Sequence, residues 1–333
     1  MQALRLIVAV AFAALACACS PKQEVAKTPG LTALRFATDW RAQAEQGGFY
    51  EALANGEYAR RGLAVKIVQG GPGVNVPQLL AAGSVDLGIG SNSFIVMNLA
   101  QEGVPVKAVA AIFQKDPQVL IAHHDAGVET LADLKGHPIL LSDASITAFW
   151  VWLKAKYGFT DDQVRKYTFS NAPFLADKRI IQQGYVTSEP YTIEKEAGVK
   201  PAVFLLADEG YPGYGGMVLA PQSLIAANPA AVKAFVAATA AGWRSYLNGD
   251  PAPGDALILK ANPEMSEDVL AQAREKMRHY GIIDSGDAKT GGLGVMTDAR
   301  WQTFFQMASE KGVYPKTTDY KAAYALGFAG PGK

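Results

Sequence analysis

Short apolar runs of strand length recur between residues 34 and 220, separated by helical patterns and by clusters of Gly, Pro, Ser, Asn and Asp. The pattern predicts strands over Leu34–Thr38, Ala64–Gln69, Val85–Gly90, Val106–Phe113, Val119–His123, Pro138–Leu141, Val164–Phe169, Gly184–Thr187, Ala202–Leu206 and Met217–Ala220. Between them it predicts helices over Phe49–Arg61, Val76–Ala82, Phe94–Gln101, Leu131–Lys135, Ala148–Tyr157, Ala172–Gln183 and Tyr191–Ala197. Beyond Pro221 the pattern turns helical, over Pro229–Asn248, Pro251–Lys260, Ser266–Tyr280, Asp298–Glu310 and Asp319–Ala325. Strands alternating with helices make an α/β protein. Two lobes are expected, with the chain crossing between them near Gln114–Gln118 and again near Gly215–Val218. The division expected is 31–115 with 220–330 for the first lobe and 116–219 for the second.

The polar residues that follow the strands carry the candidate chemistry, because ligands of open α/β sheets sit at the carboxyl ends of strands. The stretch Ala64–Asn92 shows the unit most plainly: strand, glycine-rich loop, short helix, strand, then Ser91, Asn92 and Ser93 before an apolar helix. Asp39-Trp40, Asp143 with Ser145, Ser188-Glu189 and the glycine-rich loop Tyr211–Tyr214 fall at equivalent places. Trp40 offers a stacking face for a flat ring, against the plainer reading of a core aromatic. Tyr214 is expected in a ligand-contacting or cleft-closing role. Gln46 and Gln114 can donate and accept at a heteroaromatic edge, and Tyr50 or its neighbour Phe49 is expected to face the cleft. Ser91, Asn92 and Asp143 could equally cap helices. Acidic groups at Asp39, Asp143 and Glu189 disfavour an anionic ligand and suit the N–H groups of an amino-substituted ring.

Composition changes this picture little: 333 residues, 49% hydrophobic and 19% charged, is ordinary for a globular chain of about two domains. Lys+Arg and Asp+Glu are each 31, giving zero net charge. With no basic stripe, nothing favours nucleic acid. Adjacent His123 and His124 would point to opposite faces of a strand, so no metal site is expected. Neither G-x-S-x-G nor a phosphate-binding lysine loop occurs. The two cysteines, Cys17 and Cys19, both precede the folded body, so no cysteine nucleophile or metal site is expected there. Residues 1–18 read as a secretory signal. Its end, LACACS, resembles the lipobox of bacterial lipoproteins, which implies lipidation at Cys19, with Cys17 as the competitor. Residues 19–30 read as a flexible tether.

Several stretches together carry a wider resemblance: FATDW at Phe36–Trp40, GGFYEALANGEYARRGLAVKIVQGG at Gly47–Gly71, LLAAGSVDLGIGSNS at Leu79–Ser93 and TLADLKGHPILLSDAS at Thr130–Ser145. The chain resembles substrate-binding proteins of ABC importers, in the superfamily that binds thiamine-pyrimidine precursors, sulfonates, taurine, nitrate and riboflavin. Asp39-Trp40 tilts the resemblance towards the pyrimidine-binding branch. It implies a two-lobed periplasmic-binding-protein fold of type II, each lobe a mixed sheet flanked by helices, with a hinge between them. It also implies a lipid-anchored monomer in the periplasm or cell envelope, delivering a small heteroaromatic solute to permease subunits without a cofactor. Riboflavin or a sulfonate or taurine type of solute is the alternative. A related enzyme branch, the pyrimidine synthase, holds pyridoxal phosphate on a lysine, uses a histidine and carries a cysteine-rich run. Here Gly90 and Gln46 stand at the first two places and no such run occurs, which speaks against an enzyme.

Overall fold

A computed structural model describes residues 29–198 and 200–330. The signal segment, Cys17, Cys19 and the tether up to residue 28 lie outside the described residues. In chain order the strands are β1 (Thr32–Ala37), β2 (Leu63–Val68), β3 (Leu87–Asn92), β4 (Val106–Phe113), β5 (Gln118–Ala122), β6 (Ile139–Leu141), β7 (Val164–Lys166), β8 (Ile181–Tyr185), β9 (Ala202–Leu205) and β10 (Gly215–Pro221).

The strands form two mixed sheets of five, ordered β2-β1-β3-β10-β4 and β7-β6-β8-β5-β9. In the first, β1 runs parallel to β2 and β3, while β10 is antiparallel to β3 and β4. In the second, β6 runs parallel to β7 and β8, while β5 is antiparallel to β8 and β9. The two sheets therefore share one plan. In each, the antiparallel strand is the one the chain enters directly from the other sheet: β5 after Gln114–Pro117, and β10 after the 206–214 segment.

Side chains alternate across each strand, so each sheet feeds two cores. Along β5, Val119 and Ile121 join one apolar cluster, and Leu120 and Ala122 the other. Helices cover both faces. The longest, Pro229–Asn248, sets Trp243 against Phe49 and Phe113, with ring centroids 6.1 and 5.8 Å apart. The helix Gly47–Ala54 reaches this helix because it begins with two glycines. A Cβ on Gly48 would lie 2.1 Å from the Trp243 ring, and one on Gly47 2.0 Å from that of Tyr246. Among the described residues no helix is long and apolar enough to cross a membrane.

Four expectations need correction. The helix expected over Phe49–Arg61 is two, Gly47–Ala54 and Glu57–Arg60, broken where Gly56 takes a φ of 70° that other residues avoid. The helix expected over Ala172–Gln183 stops at Ala176, and Ile181–Tyr185 is strand β8. Its amides are claimed by the ladder: Ile181 N–H donates to the Pro138 carbonyl at 2.9 Å, beside β6. The strand expected to reach Phe169 ends at Lys166, and Phe169 adopts a left-handed φ of 60°. Finally, the division expected at residues 219 and 220 falls inside β10, all of which is hydrogen-bonded into the first sheet.

Candidate functional site

A cleft of about 620 Å³ opens between the two sheets. The first sheet supplies Asp39 and Trp40 after β1 and Ser91 and Asn92 at the end of β3; the second supplies Ser142–Ser145 after β6, Tyr185 at the end of β8, and Glu189. All lie at carboxyl ends of parallel strands, where side chains and freed backbone groups face the gap.

The wall is polar and specifically bonded. Asp39 accepts a hydrogen bond from the Ser91 hydroxyl through Oδ2, while its Oδ1 is enclosed without a partner. Gln46, 4% exposed, also lines the cleft and holds an unpartnered Oε1. Asn92 accepts from the Phe94 amide at 3.1 Å, so it caps the helix Ser93–Gln101 while lining the cleft. Ser142 plays the same part for the turn Asp143–Ile146, its hydroxyl 2.9 Å from that of Ser145. Asp143 stands at the rim, 3.5 Å from the Lys166 ammonium. Glu189 accepts from the Tyr185 amide at 2.8 Å. At the mouth, Trp40 from the first sheet meets Phe169 from the second, ring centroids 4.7 Å apart and tilted by 45°. Phe169 is 45% exposed, and Tyr167 flanks it at 5.1 Å.

Four carboxyl groups stand near Tyr185: Asp39 and Glu189 line the cleft, and Glu45 and Asp116 are buried behind its lining. Burial pushes Asp39 and Glu45 up from the usual carboxylate range, and Asp116 and Glu189 each up to about 7. The Tyr185 hydroxyl is pushed well up by burial and by Asp116, Asp39 and Glu45 nearby. Glu45 accepts from the Thr187 hydroxyl across the lobes, and Asp116, 1% exposed, accepts from the Gln118 amide at 3.1 Å. Among the described residues no lysine, arginine or histidine pairs with any of the four. Nor do three metal-ligating side chains gather closely enough to hold an ion.

Three expected site residues lie elsewhere. Tyr50 lines a separate surface groove with Leu53, Val65 and Leu257, because its neighbour Phe49 takes the inward position against Trp243. Gln114 is 1% exposed in the first crossing, where its Nε2 donates at 3.0 Å to the carbonyls of both Ala111 and Val295. Tyr214, also 1% exposed, sits in the second crossing; its hydroxyl donates to Asp287 and accepts from the Thr297 amide at 3.0 Å. Over its ring, 4.0 Å from the centroid, lies the Arg300 guanidinium. Arg300 donates to the carbonyls of Pro212 at 3.2 Å, Gly213 at 3.1 Å and Gln114, so it ties both crossings together. Gln114, Tyr214 and Arg300 thus belong to the crossings and not to the cleft wall.

Phe169, Tyr167, Tyr185, Glu45, Asp116 and Gln118 were not anticipated. Phe169 and Tyr185 stand at strand ends, the signal that singled out the others; Asp116 stands in a crossing segment. At Gly90, a Cβ would lie 2.9 Å from the Leu219 side chain, so the lysine of the enzyme branch has no room there.

The riboflavin-binding protein RibY of Chloroflexus aurantiacus is 24% identical over 307 residues, covering 90% of this chain and 87% of RibY. Among solved structures, the periplasmic aliphatic sulphonate binding protein SsuA of Escherichia coli superposes with a TM-score of 0.67 at 16% identity, covering 92% of this chain and 95% of SsuA. The alkanesulfonate-binding SsuA of Xanthomonas axonopodis pv. citri, bound to MOPS, gives 0.65 at 15% identity, covering 91% and 100%. The fold is thus that of periplasmic binding proteins. The NMT1/THI5-like family model matches residues 43–252, from the loop before the helix Gly47–Ala54 to just past the long helix Pro229–Asn248, and the chain belongs to that family.

Proposed function

We propose that the protein is the solute-binding component of an ABC importer, held at the cell envelope by a lipid on Cys19, and that it is not an enzyme. Its solute is a small flat heteroaromatic molecule of the thiamine-precursor pyrimidine type. The observation that carries this reading is the pairing of Trp40 and Phe169 across the mouth of a cleft whose floor is lined by hydrogen-bonding groups from both sheets. Two aromatic rings from opposite lobes, in contact with each other here, suit a planar ring that displaces this contact and stacks on one or both faces. Asp39, Gln46, Ser91, Asn92, Asp143, Ser145 and Glu189 then serve its polar edge. A ligand shifts closure only by favouring the closed form, and contacts to both lobes provide that difference. The resemblance to RibY favours a second reading, in which the ring is an isoalloxazine. The neighbouring sulfonate binders lend less weight, because the cleft offers a sulfonate acidic side chains and no free cation to pair with among the described residues.

A thermal-shift panel of thiamine, aminopyrimidines, riboflavin, taurine, an alkanesulfonate and nitrate tests this. A ligand at about one hundred times its dissociation constant adds about 2.7 kcal/mol of stability. Shifts with aminopyrimidines alone support the leading reading and shifts with riboflavin alone the second. Shifts with sulfonates alone refute both.

A further inference from the structure

Asp39, Glu45, Asp116 and Glu189 come from four different segments: the loop after β1, the turn before the first helix, the first crossing, and the segment after β8. They converge on Tyr185 without a cation among them. Their immediate neighbours are neutral: Gln46 and Ser91 face Asp39, Gln43 and Thr187 face Glu45, Gln118 faces Asp116, and Tyr167 faces Glu189. Tyr211, behind Asp116, is neutral and its hydroxyl has no partner. The nearest basic groups are committed elsewhere. Lys166 faces Asp143 at the rim, Lys115 pairs with Asp208 at 2.6 Å, and Arg300 is held by the crossing carbonyls. One unmatched acceptor is independent of the cluster's own charge: the Gln46 Oε1, 4% exposed and on the cleft wall. Acceptors dominate this floor and positive charge is missing from it.

We propose that this floor is a proton-exchange site, where a solute carrying a positively charged nitrogen heterocycle enters as a proton leaves the carboxyl group of Glu189 or Asp39. The inference rests on the cleft being the solute site and adds the charge class of the solute. In the empty cleft an unpaired buried carboxylate is costly, so the acid keeps its proton. When the cation arrives, one carboxyl O–H bond breaks, the proton passes to solvent, and the carboxylate faces the solute's charge. Nothing is oxidised or reduced. The upward displacement of Glu189 to about 7 puts this exchange near neutral pH. Below that value cation binding must displace a proton, and its affinity falls about tenfold per pH unit; above it the affinity is flat.

The experiment is isothermal titration calorimetry of the full protein in buffers of different ionisation enthalpy, at pH 6 and pH 8.5. The probes are three rings of matched shape: 1-methyl-4-aminopyridinium, 4-methylbenzamide and 4-methylbenzenesulfonate. The first should bind with release of about one proton at pH 6 and almost none at pH 8.5. The neutral ring should bind without pH dependence and the sulfonate most weakly. Glu189→Gln and Asp39→Asn should lower affinity for the cation about tenfold or more, reduce the proton count, and cost the cation at least several-fold more affinity than they cost the neutral ring. Cation binding without proton release at either pH overturns the proposal, as does tighter binding of the sulfonate. If the neutral ring or sulfonate binds and the cation does not, the proposal falls while the cleft keeps its solute-binding role. Failure of all three rings sinks both.

Discussion

Replacing Asp116 with asparagine isolates the cost of a buried carboxylate that has no counter-charge. Asp116 is 1% exposed; its Oδ1 accepts from the Gln118 amide at 3.1 Å, and its Oδ2 has no partner. Burial pushes its pKa from 3.8 to about 7. Because the folded value lies above the unfolded one, the folded protein binds the extra proton between them. Stability therefore declines as pH rises from about 4 to about 7 and stays low above that. A displacement of about three units corresponds to a ceiling of about 4 kcal/mol, at about 1.4 kcal/mol per unit, and relaxation of the surroundings lowers it. Asparagine keeps the acceptor for Gln118 and has no proton to lose. Urea unfolding at pH 5 and pH 8 of both proteins supplies the measurement. The variant, measured against the native protein, should gain about 1–3 kcal/mol on going from pH 5 to pH 8, with unchanged m-values. A difference between the two proteins that is the same at both pH values would show that Asp116 ionises without hindrance, and the reasoning about the cleft floor would fail with it.

Other perturbations follow from the same geometry. Trp40→Ala should weaken binding of a flat heteroaromatic solute by about 1–3 kcal/mol in titration calorimetry, through lost burial and stacking; unchanged affinity in the folded variant removes the stacking role. Arg300→Met leaves the carbonyls of Pro212, Gly213 and Gln114 without their donor. It should cost about 2–4 kcal/mol in urea unfolding, and full native stability would show that the crossings do not depend on it. Gly90→Ala places a methyl group 2.9 Å from the Leu219 side chain. A loss of about 1–3 kcal/mol is expected; a neutral result would mean that Leu219 moves freely aside.

Which parts of this architecture can be read from residues alone depends on how local their causes are. Strands β1 to β4 announce themselves by apolar runs bounded by turn residues, and Asp39, Trp40, Ser91 and Asn92 are found by standing where such runs end. Strand β8 hides because its central residues are Gln182 and Gln183. Both are buried and held by partners outside the strand: Gln182 Nε2 donates to Asn171 at 2.9 Å, and Gln183 accepts from the Ser142 amide at 2.6 Å. A polar pair of that kind carries no strand signal. Tyr214 misleads for a different reason. Its glycine-rich loop looks like exposed, adaptable chain, yet the helix Asp298–Glu310, more than eighty residues on, covers it with Trp301 and Arg300. Tyr50 is lost to helix phase, where one position's error turns a side chain from the cleft side to the outer groove. The buried carboxyl set is the least legible of all, because burial without a counter-ion is a property of the assembled lobes.

The exchange of one strand between the sheets has a consequence for the order in which the polypeptide acquires structure. All five strands of the second sheet, β5 to β9, lie between Gln118 and Leu205 without interruption. The first sheet has β1 to β4 by residue 113 but lacks its fourth neighbour until β10 arrives at Gly215, and Tyr324 later bridges to Ala108. Closing so long a loop is slow compared with forming contacts among nearby segments. The second lobe should thus assemble first in refolding, while β3 and the apolar β4 wait with unpaired edges. That interval is when aggregation threatens most. Pulse-labelling hydrogen exchange should therefore find Val119–Ile121 protected before Val109–Ile112.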